Sequence, residues 1–252
     1  MPPAKQTAPA AARCPLACWR RVTGTFINVG TVLAGTLLGT LAGSRLPEGI
    51  QQRVLAGLGL VTLVIGVDSA LAWSSTNPLY VLGGVLLGGI VGEAIGIERR
   101  LERFGDRIQR AVAGEGHSRV SEGFVTASLL FCVGPLTVLG SIEDGLTDQY
   151  TQLATKAVLD GFASIALAAT LGWGVGIAAV TILVVQGAIT LGAGAFDSIL
   201  RGETLDVLTS AGGVLIIGIS LKLLDLKDVR VGNFLPALLF APLIVGVVSL
   251  FD

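Results

Sequence analysis

Charged side chains are scarce in this sequence. Only 14% of its 252 residues are Asp, Glu, Lys or Arg, against about 25% in an average soluble domain. A soluble surface of this size needs more solvating groups than that, which argues against a large soluble helical protein. Histidine occurs once, at His117, and Cys14, Cys18 and Cys132 show no metal-ligand spacing. No zinc site, haem site or other cofactor is therefore expected. A net charge of −1 leaves no basic footprint, so nucleic acid is not expected as a partner. No nucleophile–base–orienter set is present, and an intramembrane enzyme, with carboxylates alone as catalysts, is the weakest functional reading. Residues 1–22 are Pro/Ala-rich and basic, and read as a disordered tail. They lack the apolar core of roughly 7–15 residues that a secretory signal needs, and translation is expected to start nearer Val22.

What is abundant is apolar length. Hydrophobic residues make up 52% of the chain, mean hydropathy is +0.78, and several runs approach the ~20 residues that cross a hydrocarbon core. The expected fold is an all-α polytopic membrane protein occupying residues 23–252, with about eight transmembrane helices, or seven. The spans read Thr25–Gly43, Val54–Trp73, Leu79–Ile97, Phe124–Ile142, Ala157–Gly174, Val175–Ala195, Leu205–Leu224 and Val231–Leu250. The 35 glycines lie largely inside these runs, where small residues let helix backbones approach closely. They are also compatible with a homodimer in the bilayer. Trp19, Trp73, Tyr80, Tyr150 and Trp173 fall at span ends, as an aromatic belt requires.

Orientation follows from Lys and Arg. Arg45, Arg53, Arg99, Arg100, Arg103, Arg107, Arg110, Arg119, Lys222, Lys227 and Arg230 fall in odd-numbered loops. The other side carries only Lys5, Arg13, Arg20, Arg21, Lys156 and Arg201. Both termini are expected outside, with the Arg-rich loop 98–120 cytoplasmic and its acid–base spacing suited to an amphipathic helix on the inner leaflet.

Internal similarity suggests a duplication. "VTLVIGVDSAL" (Val61–Leu71) resembles "GVLIIGISLKL" (Gly213–Leu223), and "NPLYVL" (Asn77–Leu82) resembles "NFLPAL" (Asn233–Leu238). "EGF" at Glu122 is echoed by "DGF" at Asp160. These matches pair spans one to three with six to eight, and span four with five. Odd spans always meet even ones, which describes an inverted-topology repeat, an architecture common in secondary transporters.

Ionisable and polar residues inside spans are functional candidates, because each charge costs roughly 2.5–3.5 kcal/mol at the bilayer centre on insertion scales. Glu122 and Asp160 are read as opening spans four and five, where they complement the helix dipole, with Thr126 and Ser164 one turn in. Gly134–Pro135 breaks the hydrogen-bond ladder of span four. The freed carbonyls at Cys132–Gly134, with Ser128, Thr137 and Ser141, are oxygen ligands for a small cation. Asn28 and Asp68 complete the set of transport or ion-binding candidates.

The motifs "GTFINVG" (Gly24–Gly30), "RLPE" (Arg45–Glu48), "GGIVGE" (Gly88–Glu93), "EGFVTASLLFCVGP" (Glu122–Pro135), "LGSIEDGL" (Leu139–Leu146) and "KAVLDGFASI" (Lys156–Ile165) carry a family resemblance. From about Gly24 to Leu250 the chain resembles the YqgA/YdfK-type family of bacterial membrane proteins, defined by domain of unknown function 554. The resemblance implies a bacterial inner-membrane protein of a kind often described as a transporter. It implies no substrate and no catalytic residue. Two functions are expected to compete: a secondary transporter or channel for a small ion or solute, and a membrane scaffold. In the scaffold reading the Arg-rich loop holds a cytoplasmic partner or anionic lipid.

Overall fold

The computed structural model describes residues 22–43, 47–113, 119–133, 135–147, 149–195 and 202–249. The expectations for the amino-terminal tail up to residue 21 and for Gly134 lie outside these residues. Ten α-helices order the described chain: α1 (Thr23–Gly43), α2 (Glu48–Ala70), α3 (Pro78–Ile95), α4 (Ile97–Ala113), α5 (Val120–Cys132), α6 (Pro135–Thr147), α7 (Thr151–Leu171), α8 (Gly174–Leu191), α9 (Glu203–Leu223) and α10 (Ala237–Val248). Short 3-10 turns at Leu71–Ser75 and Val231–Phe234 precede α3 and α10. There is no strand among the described residues, as expected where every backbone group must be satisfied within its own segment.

Seven of the helical segments are long and apolar enough to cross a membrane, and the bent pair α5–α6 makes up to eight. Leu37, Leu41, Val64, Ile90, Leu239 and Val184 face outward, which gives the bundle an apolar exterior suited to lipid. Its core is small and aliphatic: Val32, Phe131, Leu167, Val175, Ile182 and Ile219 are buried where α1, α5, α7, α8 and α9 converge.

Small residues decide which helices touch. α1 runs parallel to α7, and a Cβ on Gly35 would sit 2.5 Å from the Gly161 carbonyl oxygen. One and two turns on, Gly39 and Gly43 meet the Ile165 and Ala169 carbonyls in the same way. α5 runs parallel to α8, with Gly174 against Val120 and Gly123 against Val175. α2 and α9 are antiparallel, Gly66 meeting Ile217 and Gly213 meeting Ala70. α3 and α10 are antiparallel as well, Gly84 and Gly88 lying on Ala241 and Ala237.

The α5–α6 joint bends by 60°. Val133 is extended, at φ −96° and ψ 117°, and α6 starts at Pro135. In an unbroken helix the Phe131 carbonyl accepts from residue 135, but proline has no N–H to give. The Thr137 hydroxyl donates to the Phe131 oxygen instead, at 3.1 Å. After α3, Gly96 adopts the left-handed conformation at φ 69° and turns the chain directly into α4. That helix carries Arg99, Arg100, Arg103 and Arg107 on exposed positions.

Candidate functional site

Asp160 lies in the middle of α7 rather than at its start. α7 begins at Thr151 because the polar residues before Ala157 stay helical, and Lys156 is one turn from Asp160, the favourable i,i+4 spacing. The Lys156 ammonium donates to Asp160 Oδ2, and Asn28 Nδ2 of α1 donates to the same oxygen at 2.9 Å. The side chains of Lys156 and Asp160 are only 7% and 10% exposed. Ser164, a turn further on, donates its hydroxyl to the Asp160 carbonyl. The ammonium also sits 5.9 Å above the centre of the Phe131 ring, within the range of a cation–π contact. A buried ion pair is weak evidence of stability, since desolvation offsets the attraction. Its presence amid apolar helices points to a use.

Beside this pair is a cavity of about 640 Å³ between α2, the α5–α6 joint and α7. Lys156, Asp160 and Thr137 form its polar wall, while Phe131, Leu159, Phe162 and Ile216 supply apolar surface. Val133 and Leu136 line it from either side of the joint. The broken helix and the buried pair therefore border one space.

The other candidates are spread out. Asn28 and Ser164 join Asp160, and Pro135 opens α6 at the joint. Ser128 shares a hydrogen bond of 3.1 Å with Thr181 of α8, so it ties two helices together. Thr126 is buried facing Glu98 and Ile219. Cys132 is half-buried and borders a small separate gap with Thr209 and Leu238. Ser141 is fully buried in α6. Two readings are corrected. Asp68 is exposed near the end of α2 at the cavity edge, not buried. Glu122 is not a counterpart of Asp160. It sits in the first turn of α5, partly exposed, in a two-pronged pair with Arg119 at 2.8 and 3.1 Å. It borders a different, charged cleft of about 570 Å³ with Glu102, Lys222, Lys227 and Asp228. The shared acid-Gly-Phe motif does not fix depth, because burial depends on which neighbours cover the helix.

Two polar groups escaped sequence reasoning. The first clusters at one end of α1, α6 and α8: Thr25, Asp144, Gln186 and Thr190 are buried there with Ser141, and the Gly24 amide donates to Asp144 Oδ2 at 3.1 Å. Only Gln186, a lone amide in a long apolar run, offered a signal. The second knots the α3–α4 corner to the turn before α10. Glu98 accepts from the Gly232 amide at 2.9 Å, and its own amide donates to Asn233 Oδ1 at 2.8 Å. Asn233 Nδ2 donates to Glu93, and the Lys222 ammonium lies 3.6 Å from Glu98. Burial pushes the Glu98 carboxyl above the usual carboxylate range, while Lys222 and the Gly232 N–H pull it back. Asn233 in "NFLPAL" was the available signal.

Comparison with known proteins agrees with this membrane architecture. A family model described as "Protein of unknown function (DUF554)" matches residues 23–246. The chain is 30% identical over 230 residues to "Uncharacterized membrane protein YdfK" of Bacillus subtilis (strain 168), covering 90% of this chain and 97% of that one. It is 28% identical over 224 residues to "Uncharacterized protein YqgA" of Escherichia coli (strain K12), covering 87% and 94% respectively. No solved structure matches the chain significantly.

Proposed function

We propose that this chain, which belongs to the DUF554 family of membrane proteins, is a secondary transporter or channel for a small ion or solute in a bacterial inner membrane. The observation that carries the reading is the meeting of three things at one cavity: a broken helix, a buried Lys156–Asp160 pair, and the Asn28 amide that joins α1 to it. Asp160 holds a cation or a proton when Lys156 releases it, and Lys156 holds the pair neutral when the site is empty. In this reading both termini are outside and α4 lies in the cytoplasm.

An inverted repeat fits the packing. Each pair of spans matched in sequence is also a pair of neighbours: α2 with α9, α3 with α10, α1 with α8, and the α5–α6 unit with α7. The first two of these run antiparallel, and the parallel contact α1–α7 has a parallel counterpart in α8–α5. A two-fold axis in the membrane plane accounts for all of them.

The test is flux in proteoliposomes, using radioactive Na+ and Rb+ uptake and an entrapped pH dye. Asp160→Asn is expected to fold and to abolish the flux of the wild type. Undiminished flux in that variant removes Asp160 from the mechanism. The scaffold reading is favoured by one observation, the exposed arginines of α4 beside the charged cleft at Glu122. It predicts that substitutions in α4, and not Asp160→Asn, abolish function.

A further inference from the structure

Five buried side chains at one end of the bundle have polar atoms without a hydrogen-bond partner. They are Thr25 Oγ1 and Asn28 Oδ1 on α1, Ser141 Oγ on α6, and Gln186 Oε1 and Nε2 with Thr190 Oγ1 on α8. Each of these residues is at most 1% exposed. A buried orphan hydroxyl or amide costs about 1–3 kcal/mol, and such groups in a native fold call for an occupant.

The helices bring them to one level. Gly145 of α6 touches Thr190 and Ala193 of α8, and the two helices run parallel, so Ser141 and Gln186 lie together one turn away. A Cβ on Gly176 of α8 would be 3.1 Å from Thr36 of α1, and these helices run antiparallel. At ~1.5 Å per residue, Gln186 is ~15 Å along α8 from that contact and Thr25 ~16 Å along α1, which places them side by side. Asp144, held by the Gly24 amide at 3.1 Å, closes the group.

The donor set identifies the chemistry. It is made of hydroxyl and amide oxygens with one carboxylate, and no thiolate or imidazole. Hard oxygen donors of this kind suit alkali and alkaline-earth cations. A Ca2+ site recruits several carboxylates, whereas a single carboxylate balances one positive charge. An anion would face the Asp144 carboxylate. We infer that Thr25, Asn28, Ser141, Gln186 and Thr190 form a binding site for an alkali-metal cation, distinct from the Lys156–Asp160 pair.

Asn28 is shared. Its Nδ2 donates to Asp160 and its Oδ1 faces the orphan group, so a cation on Oδ1 fixes the amide that orients Asp160. The role of coupling ion rests on the transport reading above, but the binding itself does not.

The test is thermal unfolding of the purified protein in detergent, in NaCl, KCl and choline chloride at equal ionic strength. Tm is expected to rise saturably in NaCl or KCl over choline. Gln186→Leu abolishes the rise, and Asp160→Asn keeps it. Should Gln186→Leu fail to fold, Ser141→Ala is read instead, with the half-saturating concentration raised about tenfold, the worth of one contact to a charge. Equal Tm values in all three salts mean ordered water only and overturn the inference, as does a rise that survives both Gln186→Leu and Ser141→Ala. A rise lost in Asp160→Asn but kept in Gln186→Leu moves the cation to the other site and overturns it as well. If the salt effect appears as described while Asp160→Asn transports normally, this inference stands and the transport mechanism built on Asp160 falls.

Discussion

Lys156→Met leaves the Asp160 carboxylate in a buried setting with Asn28 as its remaining side-chain donor. Breaking a buried pair by removing one partner costs roughly 3–5 kcal/mol, much of it from the stranded charge. Asp160 lines the cavity, so water reaching it recovers part of this, and the lower end of the range, ~3 kcal/mol, is expected. At roughly 2–4 °C per kcal/mol for a chain of this size, Tm falls by about 6–12 °C. Asp160→Leu alone strands the ammonium over Phe131 and is expected to cost a similar amount. The double variant Lys156→Met, Asp160→Leu removes both charges and is expected within about 1 kcal/mol of wild type. The cycle therefore gives a coupling energy of several kcal/mol between two residues one turn apart. It is measured by equilibrium unfolding in mixed micelles, with circular dichroism confirming helix content. A coupling below ~1 kcal/mol, the range of an exposed pair, refutes the burial on which the site is built.

Thr137→Val removes the donor that satisfies the Phe131 carbonyl and is expected to lower stability by about 1 kcal/mol. In a Pro135→Ala background the restored amide takes over that carbonyl, so the same substitution costs close to nothing when unfolding is followed in the same way. Glu98 gives a pH dependence. Its folded pKa is raised, so the fold binds this proton more tightly than the unfolded chain does. The Glu98 contribution is most favourable at low pH and is lost as pH rises from the ordinary carboxylate range through the raised value. Glu98→Gln is expected to flatten that part of the Tm–pH curve. Lys222, Glu102, Asp228 and Glu93 are the charged neighbours whose own titration shapes the remainder.

The spans and the break were legible because apolar length and a proline inside it are one-dimensional signals. The Arg-rich segment was legible as a helix for the same kind of reason, its charges and Phe104 following a helical period. Depth was not legible. Lys156 and Asp160 were visible as an i,i+4 pair, yet a span boundary drawn at the first charge placed them on a rim. The helix continues past that boundary, and neighbouring α1 covers it. Asn28 was visible as polar, but its partner lies 132 residues away in the chain. Ser141, Thr25, Gln186 and Thr190 are uncharged residues that apolar helices tolerate on any face. Only the packing of α1, α6 and α8 turns them toward one another.

The glycine stripe on α1 has a mechanical consequence. With Gly35, Gly39 and Gly43 seated on successive α7 carbonyls, neither helix can slide along the other by a fraction of a turn without backbone collision. The two helices behave as one rigid beam, and Asn28 and Asp160 travel together on it. Any motion that opens Asp160 to either side of the membrane must then come from elements that bear on this beam through side chains. α2 is one such element, and the jointed pair α5–α6 is the other. The proline joint is where that pair can flex, so stiffening it by Pro135→Ala acts on the hinge while leaving the beam intact.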